Sequence, residues 1–466
     1  MWQIFYTIGW IPAVFIMLWG FKEMWVEYIH NRWAGAQKKI LLAIDIPRGN
    51  TQSPRAVENM FAYLAGAHGT INLVENYWEG KIQLSFSFEI VSIDGYTQFI
   101  IRTPEVFRHL VETAIYSQYP DAEITEVNDY IEGMPKKFPD EEYDMWGTEF
   151  IQAKNEAYPI KLYTEFEHQM GPVETFYRDP MAALMDLCSS LRKGEQLWFQ
   201  IIVKPIDMNE WTKIGDKEAA KILKEKPAEA KGILPGIEKG FFGFFSVLSD
   251  MMGSMFGYAP AEKQKEEKKD ESLKMMQLKP KERKQVEAVH AKIGKIGFHC
   301  KFRFVYIAKK DVMNKPKVVN GFVGFMKQFA AMDLNNLKPD MKKTATSVHY
   351  FFKNYRLNGR KKRVIRNYIA RDGGKGRKMG IFTTDELATV WHFPVESVVK
   401  APMIQKAPGR KAEPPSSLPI DIEPASEAVF EPRFREEVLG QKPKQMQEEK
   451  IKEEEKGSPP DNLPFI

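Results

Sequence analysis

The densest concentration of side chains suited to binding is the run Lys342–Lys378, where thirteen Lys or Arg stand against one acidic residue, Asp372. Tyr350, Phe351, Phe352, Tyr355 and Tyr368 are interleaved with them. Cations that track phosphates while rings stack on bases are the chemistry of single-stranded nucleic-acid binding. The same composition suits anionic lipid headgroups, and it also suits a solvated basic hairpin whose rings face a core. Arg356, Arg360, Lys361, Lys362, Arg363 and Arg366 are the residues expected to meet lipid or nucleic acid. No recognised nucleic-acid module accompanies the run, so the three readings stay open.

Catalytic chemistry is thin elsewhere. The eight histidines are scattered. His299 and Cys300 are adjacent in a strand pattern and so point to opposite faces, which pairs neither for metal binding nor for nucleophilic attack. Asp385 and Glu386 open a short helix and do not form a catalytic carboxylate pair. No Gly-x-Ser-x-Gly or His-Glu-x-x-His occurs. The expectation is a chain that is not an enzyme and takes no cofactor or metal.

The elements that would position the basic run are legible from periodicity. Lys39–Ile46 reads as a strand, and Ser53-Pro54 caps a helix with Val57, Met60, Phe61 and Leu64 on one side. Ile82, Leu84, Phe86, Phe88 and Ile90 alternate with polar residues, and Asp94-Gly95 turns that strand into Tyr96–Arg102. A helix after Pro104 and a strand over Ala122–Tyr130 complete a β-α-β-β-α-β order, that of a ferredoxin-like module. A second such order follows from Pro159. It has a helix opened by Asp179-Pro180, a strand over Leu197–Val203, a strand over Phe298–Tyr306 and a helix over Pro316–Met332. Between them, residues 209–280 form a long insertion, and within it Ile237–Tyr258 is rich in Phe and Met. That stretch suits a membrane interface first, and also a partner or a local core.

The chain opens with Ile4–Phe21, which carries no charge and is close to the minimum for a membrane span. Ala34-Gly35-Ala36 resembles a signal-peptide cleavage site, but it lies far past the apolar run and no positive charge precedes Ile4. An uncleaved anchor is expected. Lys22, Arg32, Lys38 and Lys39 follow it and orient the C-terminal part into the cytoplasm, as a single-pass protein of the inner membrane. Net charge is only +5 over 466 residues. The two cysteines, Cys188 and Cys300, sit at apolar positions, which argues against a disulfide framework. The expected fold is α+β: an anchor and juxtamembrane helix at 1–34, one ferredoxin-like module at 35–132 and a second at 133–400. That second module carries insertion 209–280 and basic segment 342–378. A Pro-rich strap and disordered tail at 401–466 complete the chain.

Four stretches carry a family likeness: DPMAALMDLCSSLRKGEQLWFQIIVKP (Asp179–Pro205), TTDELATVWHFP (Thr383–Pro394), VVKAP (Val398–Pro402) and RKAEPPSSLP (Arg410–Pro419). Together they resemble the membrane-proximal, non-ATPase region of type IV secretion and conjugation ATPases of the HerA–FtsK type, over roughly residues 35–420. The resemblance implies a membrane-anchored, non-catalytic accessory subunit in a homo- or hetero-oligomer, docking an ATPase encoded elsewhere. The family's motor would follow Pro419. Here no G-x-x-x-x-G-K-[ST] exists, and Ile420–Ile466 is rich in Pro, Glu and Lys. Near its end, Pro459, Pro460, Leu463, Pro464 and Phe465 echo Pro414–Pro419 and are expected to dock that motor. A membrane-tethered nucleic-acid-binding protein using residues 342–378 is the alternative.

Overall fold

Apolar runs, some alternating and some continuous, become the strands of one antiparallel sheet. The computed structural model describes residues 10–47, 50, 52–169, 175–177, 179–223, 278–395 and 410–411. The chain divides into units Met1–Glu413 and Pro414–Ile466, and every described residue belongs to the first. The first elements are α1 (Trp10–Ala36), β1 (Lys39–Asp45), α2 (Pro54–Leu64), β2 (Phe86–Ile93), β3 (Tyr96–Pro104), α3 (Arg108–Tyr116) and β4 (Glu123–Val127). Next come β5 (Tyr143–Gln152), β6 (Glu167–Gln169), β7 (Thr175–Tyr177), α4 (Met181–Ser189), β8 (Glu195–Pro205) and α5 (Met208–Ile222). Then follow α6 (Pro280–Ile293), β9 (Gly297–Lys309), α7 (Lys315–Lys327), β10 (Leu337–Pro339), α8 (Lys353–Ala370), β11 (Gly380–Thr383), α9 (Thr384–Val390) and β12 (Arg410–Lys411).

The main sheet has the order β10-β5-β9-β8-β2-β3-β1-β4-β12. β11 extends it by pairing with the start of β9, beside β5. β6 and β7 form a separate ribbon. With β12 left aside, each half counted inward from its edge runs fourth, first, third, second. The halves join where β2 meets β8, from Phe86↔Val203 to Ile93↔Gln196. The expected α+β pair of ferredoxin-like modules is therefore corrected to a mixed α/β fold with a single sheet running through both halves. The physical reason lies in β2 and β8 themselves. β8 is apolar on nearly both faces, β2 alternates, and both are buried over nearly their whole length, so each requires a strand on either side and a layer above and below.

The membrane span over Ile4–Phe21 is also corrected. Among the described residues, no helix is long and apolar enough to cross a membrane. From Trp10 onward the apolar stretch continues without a break into a segment carrying Lys22, Glu23, Glu27, His30 and Arg32, all within α1; residues 1–9 lie outside the described residues. With the span go the single-pass inner-membrane location and the orientation deduced from it. The second half of α1 packs on the turn Glu75–Glu79, where Trp25 Nε1 donates to the Tyr77 carbonyl at 3.2 Å and His30 meets Asn76 Oδ1 at 2.8 Å. Phe15, Met17, Leu18 and Phe21 stay exposed.

Helices α2, α4, α7 and α9 bury their apolar stripes on one face of the sheet. Phe304 stacks on Phe322 with centroids 3.9 Å apart, and Trp391 meets Phe61, Phe88, Phe99 and Phe393 edge-on or tilted. The opposite face is covered by α8 over a smaller apolar cluster that includes Trp198, Val305, Ile307, Ile365 and Tyr368. Asp179 and His392, from two of the stretches that carry the family likeness, meet in this fold. His392 Nε2 lies 2.9 Å from Asp179 Oδ1, while the Asp179 carboxylate also accepts the Met181 and Val395 N–H groups. Burial raises the Asp179 pKa, but the His392 charge and these hydrogen bonds outweigh it and hold the carboxyl below its ordinary value. The helix start and the end of α9 are thereby tied through one carboxylate. Both cysteines are free and buried, and burial pushes the Cys188 thiol up to about 12.

Candidate functional site

α8 is the element that carries the basic run, and its own sequence divides its faces. Lys361, Ile365 and Tyr368 recur at helical spacing and are buried, with Val364 beside them. Tyr355, Arg356, Lys362, Arg363 and Arg366 fall on the opposite side and are exposed. Close approach of the helix to β5 depends on Gly147, where a Cβ would come within 2.8 Å of Val364 Cγ1.

A transverse row of polar side chains, one from each of four adjacent strands, fixes the end of α8. Register places Glu89 opposite Gln200, Gln200 opposite Arg303 and Arg303 opposite Glu149. Their exposures are 0%, 0%, 2% and 4% in the order Glu89, Gln200, Arg303, Glu149. Gln200 Nε2 donates to Glu89 at 3.0 Å, and Arg303 Nε donates to Glu149 at 3.1 Å. The last carbonyls of a helix have no partner within it. Here Arg303 Nη1 donates to the Asn367 carbonyl at 2.9 Å and Gln200 Nε2 to the Tyr368 carbonyl at 3.3 Å. Arg371, in a left-handed conformation just past the helix, donates to both Glu89 oxygens at 2.7 and 3.0 Å and to Asp129 at 2.6 and 3.0 Å. Tyr130 donates to Glu89 at 2.9 Å and its hydroxyl lies 2.8 Å from that of Tyr368. Burial works against the charge on Arg371, but the two carboxylates more than offset it and raise its pKa.

The following loop, Asp372–Lys378, is drawn onto the sheet by the same strands. Arg303 Nη2 donates to the Asp372 and Lys375 carbonyls at 2.8 and 2.6 Å, and Lys301 donates to Gly373 and Lys375. Burial lowers the Lys301 pKa to about 8 against the pull of Glu149. Gly376 has φ +102°, and a Cβ there would lie 2.1 Å from Glu149 Oε1, so only glycine lets this loop pass. Beside it, between α8 and the Lys343–Thr344 turn, lies a cavity of about 140 Å³. A second cavity, of about 350 Å³, lies on the other side of Arg377 and shares Glu149 with the first.

The six residues expected from sequence do not act together. Lys361 is buried in an ion pair with Asp144. Arg360 clamps the preceding loop through the Ala345, Ser347 and Lys342 carbonyls. Arg356, Lys362, Arg363 and Arg366 remain on the open face. Arg356 makes only long contacts to the His349 and Phe351 carbonyls, at 3.4 and 3.5 Å. The other three have no ion pair among the described residues. At the start of the helix stand Tyr350, Phe351, Phe352 and Tyr355, with exposures of 78%, 83%, 82% and 84%. Tyr350 and Phe352 have φ +74° and +54°, a region that costs a non-glycine residue roughly 1–2 kcal/mol. Of the interleaved aromatics, only Tyr368 faces the core.

Sequence reasoning did not reach Glu89, Gln200, Glu149 or Arg371. A signal was present: Gln200 interrupts the otherwise apolar run WFQIIV, and Glu89 is the one charged residue in the strand FSFEIV. Among the described residues, no group of His, Cys, Asp and Glu is arranged to hold a metal. The proposed docking peptide Pro459–Phe465 and the stretch Ile237–Tyr258 lie outside the described residues. A family model described as a domain of unknown function, DUF8128, matches residues 54–406. No curated protein matches the chain.

Proposed function

The chain belongs to the DUF8128 family, and from that premise we propose that its exposed α8 face is a binding surface for single-stranded nucleic acid, without chemistry on the bound strand. One observation carries the reading: four aromatic rings stand almost fully in water beside Arg356, Lys362, Arg363 and Arg366, which have no carboxylate partner. Rings held in water at the expense of backbone strain are better suited to stacking on a ligand than to folding. The positive end of the α8 dipole points to the same place and adds to the field. The likeness of Asp179–Pro205 and Thr383–Pro419 to an accessory region of secretion and conjugation ATPases supports a role beside a motor supplied by another chain.

Fluorescence anisotropy with an oligothymidylate tests this. Binding is expected to weaken with salt at about 0.7 in log–log slope per phosphate engaged. Replacing Arg356, Lys362, Arg363 and Arg366 with Gln is then expected to flatten the slope by about 3. Replacing Phe351 or Tyr355 with Ala is expected to cost about 1–3 kcal/mol. No oligonucleotide binding at low salt, or tight binding to anionic vesicles alone, would overturn the proposal.

A further inference from the structure

Two of the cations that line the cavity of about 140 Å³ are not used by the fold. Arg303 is spent on Glu149, Gln200, the Asn367 carbonyl of α8 and two loop carbonyls. Arg360 holds the loop before α8, and Arg377 is paired with Asp340 at 3.3 Å. Lys343 and Arg363 are exposed at the mouth and have no ion pair among the described residues. The one carboxylate in the wall, Glu149, is occupied by Arg303 and by the Arg377 N–H at 2.7 Å. The cavity therefore has a surplus of positive charge and a hydroxyl, that of Thr344, in its wall.

We infer that this cavity receives the terminal phosphomonoester of a strand lying on the α8 face, so that the protein recognises phosphorylated ends. An internal phosphodiester carries a single charge and is flanked by sugars on both sides, and it is suited to the open surface. A terminal phosphate carries about −1.5 to −2 at neutral pH and three acceptor oxygens, which matches a recess with several cations around it. Arg363 belongs to both features: it lines the recess and stands on the exposed face of α8. A chain entering the recess would continue along Arg366 or toward the aromatic cluster. The inference rests on the nucleic-acid reading for its source of phosphate, although the recess itself would hold free phosphate by the same contacts.

The test compares one oligothymidylate carrying a 5′-phosphate, a 3′-phosphate or hydroxyls at both ends, against the full chain and its Lys343→Gln variant. One phosphorylated form is expected to bind about tenfold more tightly than the hydroxyl form, with the gap falling to about twofold or less in Lys343→Gln. Equal affinities for all three forms on the unaltered chain overturn the inference while leaving the surface reading intact. If no oligonucleotide binds, the surface reading has failed, and inorganic phosphate decides the recess alone. A rise in melting temperature with millimolar phosphate, absent in Lys343→Gln, upholds it, and no rise overturns it.

Discussion

On one face of the sheet, Phe199 meets α7 through rings alone, its centroid 5.1 Å from that of Phe322. On the other, the next residue along the same strand, Gln200, meets α8 through hydrogen bonds. Both side chains are fully buried. Apolar packing is non-directional and adapts to a change of shape, whereas buried polar groups are costly unless every partner is in place. The apolar face supplies stability, and the polar face sets the position of one helix. A protein that must present a row of cations at a fixed height above its sheet gains from the second arrangement.

The largest test of that contrast is Arg371→Ala. It leaves Glu89 and Asp129 buried or half-buried without their cation, and about 3–5 kcal/mol of unfolding free energy is expected to be lost in urea titration. A loss under about 1 kcal/mol would mean that the polar row is not what holds α8. Next in size is a pair of volume-conserving swaps. Gln200→Leu strands the Tyr368 carbonyl and removes one contact each from Glu89 and Arg303, for an expected cost of about 1–3 kcal/mol. Met326→Leu on the apolar face is expected to cost less than about 1.5 kcal/mol. Hydrogen exchange should show α8 losing protection in the first variant only, and equal protection in both would erase the distinction between the faces.

The smallest effect is in acid. Burial raises the Asp129 pKa, but hydrogen bonds and charge from Arg371 outweigh it and hold the carboxyl below its ordinary value. A depressed carboxylate stabilises fully above its unfolded pKa of about 3.9 and loses that contribution as pH falls through this value toward the folded one. The stability difference between the unaltered chain and Asp129→Asn is therefore expected to shrink as pH drops from about 5 to about 3. A difference that stays constant over that range would remove Asp129 from the account.

Much of the element order could be read from periodicity, because strands such as Phe86–Ile93 and helices such as Pro54–Leu64 carry their pattern locally. The start of the short helix opened by Asp385 and Glu386 is equally local: it forms a capping box, with the Thr383 N–H donating to Glu386 at 3.0 Å. What covers a strand is not local. His299, Lys301 and Arg303 alternate with aromatics as solvent-facing residues would, yet Lys301 and Arg303 are buried because the Asp372–Lys378 loop, some seventy residues on, folds over them. The basic run had the converse problem. Its thirteen cations are alike in sequence, while Lys361, Arg360 and Arg371 serve the scaffold and Lys362, Arg363 and Arg366 face outward. Only the partner's position, on a distant strand or loop, separates the two kinds. The uncharged run at the N-terminus misled for a related reason, since composition alone does not show that α1 continues unbroken through charged residues.

The seam between β2 and β8 has a consequence for synthesis. Strands β1 to β4 lie within residues 39–127 and can pair as soon as they emerge, whereas β8 begins only at Glu195. At about 5–20 residues per second the ribosome takes on the order of several seconds to cover that gap. During it, β2 forms the outer strand of a four-stranded sheet whose edge carries Phe86, Phe88 and Ile90 with no neighbour. An apolar, unpaired edge is a template for a strand from any chain nearby. The nascent protein is therefore at greatest risk of pairing with a second copy of itself before β8 arrives, and a codon-level slowdown between residues 127 and 195 should lower soluble yield more than the same slowdown after residue 205.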